Sequence, residues 1–599
     1  MRFASKTWLI VPASAVVVTA QALAPAGAPA AAAHASVRAT TQRLAYLGTF
    51  DVRSVRGVTA APNPQIPGHM PNSKTIRHTA AAGVPRVASS GLSAQQLPGF
   101  AGFNGLSDHD QVSAGTGIYA GTQFDLEPPD QGLCVSSTDV VETVNDALRV
   151  FDRAGNPLTP PIAFNQFYKL PPEVQPQGLG PIPFDPRCYF DAATGHWFVT
   201  EANIPPPPAG GLPNQAFELI AVSETSDPTG TWRIFQLNVT DDGTHGTPAD
   251  PGCPCFGDQP LIGADANGFY LSTNEYTFAN FTFHGGIVYA FSKTGLEAGT
   301  NTTVTRILAG PMTVSLPHGG LSFSIQPATS PAAADFQTAN GGTEFFLSAA
   351  DWGAAVTLGT RAGRVLVWAL TNTSSLNTPS PQVSLAFTAV TSQLYAQPPN
   401  ATQKKGPTPL AKAVHSPEEL VAANDDRMNQ AVYADGHLWG GLNTAVKLPT
   451  GATMAGVAWF IVAPTAAPGG LSASMTNQGY LAVDGLNILY PAIGVTSAGQ
   501  AVIAFSTTGP GLFPSTGYAP LSLTAGTGAV RIAGAGVLPD DGFTGYRAFR
   551  SGSKVGRWGD YSAAVADPSG TVWLAGEFIP GTLRTPLANW GTFVAHVTP

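Results

Sequence analysis

The chain has 599 residues and a formal net charge of −9, and only 11% of its residues are charged, against roughly 25% in ordinary soluble proteins. That balance argues against a nucleic-acid role, which needs clustered Lys and Arg, and it lacks the polybasic signal of a protein drawn to membrane surfaces. Gly (66) and Pro (53) are abundant, as in a turn-rich β protein, and the length suits a repeat array as well as two or three ordinary domains.

The N-terminus reads as an export signal over residues 1–35. Arg2 and Lys6 precede the apolar stretch WLIVPASAVVVTA (8–20), small residues follow, and a site of Ala-x-Ala form ends at Ala35. A membrane anchor is the alternative, but the apolar run is short for one. The expectation is a secreted, extracellular, monomeric protein without membrane insertion. Residues 36–110 are rich in Ala, Pro and Gly and read as a linker, propeptide-like segment or clinging arm. Residues 111–599 read as one repeat domain.

Within that domain a hairpin pattern recurs: an alternating strand, a short turn, then a strand rich in aromatic and branched residues. YFDAATGHWFVTEAN (189–203) is its clearest copy. LIGADANGFYLSTNEY (261–276), VYADGHLWGGLNT (432–444), LAVDGLNILYPAIG (481–494) and AAVADPSGTVWLAGEF (563–578) repeat it. LCVSSTDVVETVND (133–146) and FSIQPATS…GTEFFLSAADW (323–352) are looser copies. A third strand follows most hairpins, as in AVSET (221–225), AFSKT (290–294), ALTNT (369–373) and AFSTT (504–508), and fourth strands can be drawn at WRIFQL (232–237) and VSLAFTAV (383–390). The predicted fold is all-β: a β-propeller, with seven blades of three to four antiparallel strands. The last repeat lacks an outer strand, so the segment just before Asp125 is expected to supply it and close the ring. A β-sandwich, two smaller barrels, or a ring of six or eight blades are the competing architectures.

Four cysteines, Cys134, Cys188, Cys253 and Cys255, fit an oxidising compartment. Four allow three pairings. Cys134 with Cys188 is preferred, because the two sit at similar places in neighbouring repeats. Cys253 and Cys255 are separated only by Pro254, and a zinc reading is weak because no second Cys or His pair has ligand spacing.

SDPTGTW (226–232) resembles the Asp-box turn of sialidases and related propellers, with the Ser directly before Asp227. The Asp-box is a folding motif, so the resemblance implies architecture and not activity. RWGDYSAAVADPSGTVW (557–573) resembles a stretch of secreted bacterial seven-bladed propellers of unestablished function. Arg187, Arg427 and Arg557 are similar to the arginine triad that grips sialic acid, although their offsets from the first strand differ.

In a propeller, the residues before the first strand and after the second converge on one axial funnel. Before first strands stand Asp130, Asp185, Arg187, Asp258, His318, Arg427, Asn477, Gln478, Trp558, Asp560 and Tyr561; at second-strand ends stand Asn145, Glu201, Asn203, Asn274, Glu275, Trp352, Asn443 and Glu577. The catalytic pool read from this is Asp130, Asp258, Asp560, Glu201, Glu275 and Glu577. The substrate-binding set is Asp185, Arg187, Asn203, Asn274, His318, Trp352, Arg427, Trp558 and Tyr561. Two carboxylates can cut a glycosidic bond as acid and base or as acid and nucleophile. Arg with Tyr or His can serve a polysaccharide lyase, and clustered carboxylates can hold Ca²⁺. The competing reading for each Asp or Asn is a turn cap bonded to backbone. The functional expectation is a glycoside hydrolase or polysaccharide lyase acting on a polysaccharide or cell-surface glycan; the alternative is a non-catalytic carbohydrate- or protein-binding propeller.

Overall fold

The computed structural model describes residues 39–56, 83–176, 178–207, 213–308, 321, 323–351, 361–417, 420–468, 470–549, 554–581 and 584–599. Residues 1–35, read above as an export signal, His318 and Trp352 lie outside the described residues.

The alternating segments form consecutive antiparallel sheets, each a meander whose first strand is innermost. The innermost strands are Gly132–Val135, Ile182–Asp191, Cys255–Ala264, Gln326–Thr329, Met428–Ala434, Asn487–Val495 and Ala563–Ala566. Each packs against the next in that order, and Ala563–Ala566 returns to Gly132–Val135. The ring is therefore closed, and the molecule is a β-propeller. Its core is divided accordingly, with an apolar cluster between each pair of neighbouring sheets. Between the second and third sheets, for example, Phe198 stacks on Phe269 with ring centroids 4.8 Å apart. Neither face of a single sheet could be buried without a neighbour, so the repeat needs the ring. Close approach at the axis needs small residues: a Cβ on Gly263 would fall 2.4 Å from the Ala328 carbonyl of the next innermost strand.

The last sheet runs Ala563–Ala566, Val572–Phe578, Gly591–Val597 and ends on Ala101–Ser107, which pairs antiparallel with Gly591–Val597. The outer strand thus comes from before Asp125, as expected. A second N-terminal strand, Ala39–Asp51, lies between the outer strands Thr231–Asn238 and Thr303–Leu308 and joins the second and third sheets. Cys134 and Cys188 form a disulfide between neighbouring innermost strands, and Cys253 and Cys255 form a second one. No helix among the described residues is long and apolar enough to cross a membrane.

One repeat is phased differently from the sequence reading. In LAVDGLNILYPAIG the Asp-Gly turn is not a hairpin within a sheet but the link between two sheets. Gly470–Leu481 is the outer strand of the fifth sheet, and Asn487–Val495 is the innermost strand of the sixth, paired with Gln500–Gly509. Asn477 and Gln478 therefore lie on an outer strand, away from the axis. The Asp-Gly pair carries the same turn signal in either setting, which is why periodicity alone misplaced it.

Candidate carboxylate site at the propeller axis

The site is built by a backbone device. Asp130, Asp185, Gln259, Ser324 and Tyr490 stand at or near the starts of innermost strands with φ of +51°, +59°, +55°, +42° and +54°. This left-handed region is uncommon for side-chain-bearing residues, and Asp is among those that tolerate it best. At Asp185, Ser324 and Tyr490 it turns the N–H toward the preceding sheet, where an Asn at the end of the second strand receives it. Asn145 Oδ1 accepts from Asp185 N–H at 2.7 Å, and its Nδ2 donates to Asp130 Oδ2 at 2.9 Å and to the Pro128 carbonyl at 2.7 Å. Asn274 accepts from Ser324 N–H at 2.8 Å and donates to Ser324 Oγ at 2.8 Å and Gln259 Oε1 at 3.2 Å. Asn443 accepts from Tyr490 N–H at 2.6 Å and donates to the Ala423 carbonyl at 2.8 Å. These amides tie one sheet to the next. Asn203 stands at the equivalent place and is buried, with Oδ1 unpartnered among the described residues.

Three of the predicted acids meet. One carboxylate oxygen each from Asp130, Asp185 and Asp560 lies within 4.8 Å of the others. Their environments differ. Asp130 accepts from Asn145 and, at 2.7 Å, from the backbone N–H of Asp560. Burial first, and then the neighbouring Asp560, push its pKa up to about 7. Asp560 is ion-paired with Arg557 at 2.6 Å and accepts from Asn424 Nδ2 at 2.9 Å. Asp185 receives no donor on its carboxyl among the described residues. Burial, then Asp130, Asp258 and Asp560, push it well above the usual carboxylate range.

Arg187 stands beside this trio. Its guanidinium lies 3.3 Å from the centre of the Tyr561 ring, Nε donates to the Pro260 carbonyl at 3.1 Å, and Nη2 is buried without a partner among the described residues. The Tyr561 hydroxyl is likewise buried and unpartnered there. Arg187 also lines a channel down the axis of about 880 Å³, open space included, walled by Leu133, Ile262, Val432, Val495 and Val565.

The remaining predicted residues are dispersed. Asp258 pairs across the strand from Asn274 and acts on Asp185 through its charge. Arg427 is engaged by Asp425 at 2.7 Å and by Gln259. Glu201 is buried with both oxygens unpartnered among the described residues, and burial and Asp185 push its pKa well up. Glu577 accepts from Gly559 N–H at 2.7 Å and is pushed up by burial. Trp558 is 1% exposed and packs in an apolar cluster with Trp590 and Tyr490, closed to a sugar ring. Glu275 lies apart from the trio, beside Cys253, Cys255 and His284, and burial and Asp241 push it up to about 9.

Sequence reasoning missed Glu218, Glu173 and Asn424. Glu218 sits in the third strand Phe217–Ser223, buried with no partner for either oxygen among the described residues, against Gly257, where any side chain would displace it. A lone acid inside the apolar run FELIAV was the available signal.

Chemically, the trio combines one carboxyl held toward its neutral form with one carboxylate fixed by a cation, the division of roles that acid–base chemistry needs. The same oxygens are hard donors of the kind Ca²⁺ takes. Asp185 brings a carboxyl free of protein donors, while Arg557 already supplies a positive charge to Asp560.

No known protein family and no curated protein matches the chain. Among solved structures, the phage phi92 endosialidase is 9% identical, with a TM-score of 0.28 over 69% of this chain and 66% of that one. The Trypanosoma rangeli sialidase in complex with sialic acid is 9% identical, with a TM-score of 0.30; 69% of this chain spans only about half, 54%, of that one. A putative exo-β-1,3-galactanase from Bifidobacterium bifidum s17 is 11% identical, with a TM-score of 0.28 over 64% of this chain and 97% of that one. TM-scores of this size carry no argument about the site.

Proposed function

We propose that the chain is a secreted, seven-bladed propeller that hydrolyses glycosidic bonds of an extracellular polysaccharide at the axial carboxylate site. One observation carries the reading: Asp130, Asp185 and Asp560 bring carboxylate oxygens within 4.8 Å of one another, and Asp560 is ion-paired with Arg557. In this reading Asp185, which burial and its acidic neighbours push well above the usual carboxylate range, protonates the leaving oxygen. Asp560, ion-paired with Arg557, attacks or stabilises the anomeric carbon. Asp130 positions Asp560 through the backbone N–H it accepts. Oxygens within 4.8 Å of one another stand closer than the roughly 6.5–9.5 Å that makes room for the water of an inverting glycosidase, which favours a retaining arrangement. The seven-blade count rests on the order of innermost strands, and secretion on the N-terminal segment and the disulfides.

The convergence of three carboxylates also favours a second reading, a non-catalytic glycan-binding propeller whose axial site holds Ca²⁺. A polysaccharide panel separates the two, assayed for reducing ends and for unsaturated-product absorbance, with and without a chelator. Reducing ends that vanish in Asp185→Asn and persist with chelator support the hydrolase. Unsaturated product would make the chain a lyase. No product from any plant, algal, fungal or bacterial glycan, together with chelator-sensitive glycan binding, would establish the second reading.

A further inference from the structure

Away from the axis, a second group of side chains is gathered with no part in the carboxylate site. Cys253 and Cys255 flank Pro254 at the start of the third innermost strand, with Cα atoms 4.5 Å apart. His284 comes from the third strand of the same sheet, Phe283–Ser292, and Glu275 from the second, Gly268–Thr277. His284 Nδ1 lies 3.7 Å from Cys255 Sγ and 4.0 Å from Cys253 Sγ. Glu275 Oε1 lies 3.6 Å from Cys253 Sγ, and its Oε2 lies 3.8 Å from His284 Nδ1. The edges of a tetrahedron of S, N and O donors around Zn²⁺ are about 3.3–3.8 Å. The sulfur–nitrogen, sulfur–oxygen and nitrogen–oxygen spacings already stand near that size.

The surroundings favour a cation. Behind Glu275, Asp241 and Asp250 share Arg306 at 2.6 and 2.5 Å, so that cation is bonded to two other acids while the Glu275 carboxyl lies against the sulfurs. The His284 ring lies against Gly252, where a Cβ would stand 3.1 Å from Cε1. That glycine leaves room for the imidazole with Nδ1 turned to the sulfurs. The His284 side chain is 21% exposed, so an ion has a way in. Among the described residues, no comparable donors gather at the other disulfide, Cys134–Cys188.

We propose that Cys253, Cys255, His284 and Glu275 form a redox-gated site for a tetrahedral divalent cation of the Zn²⁺ class, closed while Cys253 and Cys255 are joined and opened by a dithiol reductant. The dithiol breaks the Sγ–Sγ bond, gives up two electrons and two protons, and leaves as its own disulfide. The cation then takes both sulfurs as thiolates, and each donor that carries a proton yields it to solvent. The pair spans only two positions in sequence. Parting the sulfurs to the roughly 3.8 Å of a metal dithiolate therefore needs side-chain rotation and no strand movement.

The test uses the full secreted chain, oxidised or reduced with a phosphine and freed of excess reductant, titrated with Co²⁺ and then Zn²⁺. The reduced chain should show thiolate-to-cobalt charge transfer and the visible bands of tetrahedral Co²⁺ at one ion per chain, displaced by Zn²⁺; the oxidised chain should show neither. Cys253→Ser/Cys255→Ser should abolish the bands, and His284→Ala should weaken binding at least tenfold. Because reduction also opens Cys134–Cys188, alkylation mapping gives a second readout: Zn²⁺ should protect Cys253 and Cys255 from iodoacetamide and leave Cys134 and Cys188 reactive. A reduced chain that binds no Co²⁺, bands that survive in Cys253→Ser/Cys255→Ser, or protection confined to Cys134 and Cys188 would overturn the proposal.

Discussion

Asn145 joins two of the acids at the axis: its Oδ1 accepts the backbone N–H of Asp185 at 2.7 Å, and its Nδ2 donates to the carboxylate of Asp130 at 2.9 Å. One amide thus fixes the spacing of two carboxyl groups from neighbouring sheets. Asn274 makes the same backbone tie between the third and fourth sheets, to Ser324, and Asn443 makes it between the fifth and sixth, to Tyr490. The tie is a structural element of the ring that becomes part of the site only where its partners are aspartates.

Asn443 isolates the structural share of this device, since no member of the trio touches it. Asn443→Ala strands the Tyr490 N–H and the Ala423 carbonyl in the interior. Each buried unpaired group costs about 1–3 kcal/mol. The expected loss is roughly 2–4 kcal/mol, read as a lower urea midpoint, with glycan turnover at the axis unchanged. Asn443→Asp should fare no better, because it turns an oxygen onto the Ala423 carbonyl.

The ring and its closing strand were legible in the sequence because period-two alternation and turn residues are local signals. So was the Cys134–Cys188 pairing, since equivalent positions of neighbouring repeats meet at the axis. Phase was less legible: Asp484–Gly485 makes the same kind of turn whether it joins strands within a sheet or links two sheets. At the site, the positions before first strands included Asp130, Asp185 and Asp560, which the ring brings together, but also Asn477, which it does not. That reading could not see that Trp558 turns into the core, or that Arg427 is taken by Asp425 two residues away. Nor could it see Glu218, whose surroundings come from another sheet. Side-chain direction and cross-sheet partners depend on the assembled ring and leave no periodic trace.

Glu142 gives the clearest pH dependence. It is buried and accepts the Leu106 N–H at 2.8 Å, and burial pushes its pKa from 4.5 up to about 7. The folded chain therefore keeps a proton that the unfolded chain releases near pH 4.5. The resulting stability is complete below that pH and is lost as pH rises through about 7. Glu173 and Asp130, each pushed to about 7 by burial, act in the same direction. Urea unfolding should show a more stable chain at pH 5 than at pH 8. Glu142→Gln, which keeps an acceptor for Leu106, should gain on the parent by roughly 3 kcal/mol across that range. Equal slopes for the two proteins would refute the assignment.

The axial acids predict a kinetic pattern. Asp185→Asn and Asp560→Asn should each lower kcat by about 10²–10⁴-fold with little change in KM, as expected for groups acting on the reacting bond. Asp258→Asn, which removes a charge that raises Asp185, should cost less than about tenfold in kcat. Because Asp185 is pushed well up, it sets the alkaline limb of the kcat profile. That limb should shift to lower pH in Asn145→Ala, where the tie holding Asp185 is gone, and disappear in Asp185→Asn. An alkaline limb that stays in place in Asp185→Asn would assign the acid to another group.

Ring closure predicts a specific sensitivity at Gly105, in the strand Ala101–Ser107 that completes the last sheet. A Cβ there would fall 2.3 Å from Glu142 Oε2 and 2.5 Å from Thr592 Oγ1. The first belongs to the first sheet and the second to the last, so Gly105 lies at the seam where the two ends of the ring meet. Gly105→Ala must push Glu142 off the Leu106 N–H or move the closing strand outward, at a cost of about 1–3 kcal/mol. The closing strand stands at the end of its sheet and pairs on one side only among the described residues, so the strain should appear as local opening before global unfolding. Limited proteolysis should cut the variant first near residues 101–107, while Gly363→Ala, whose Cβ meets nothing closer than 3.3 Å, should leave the parent pattern unchanged.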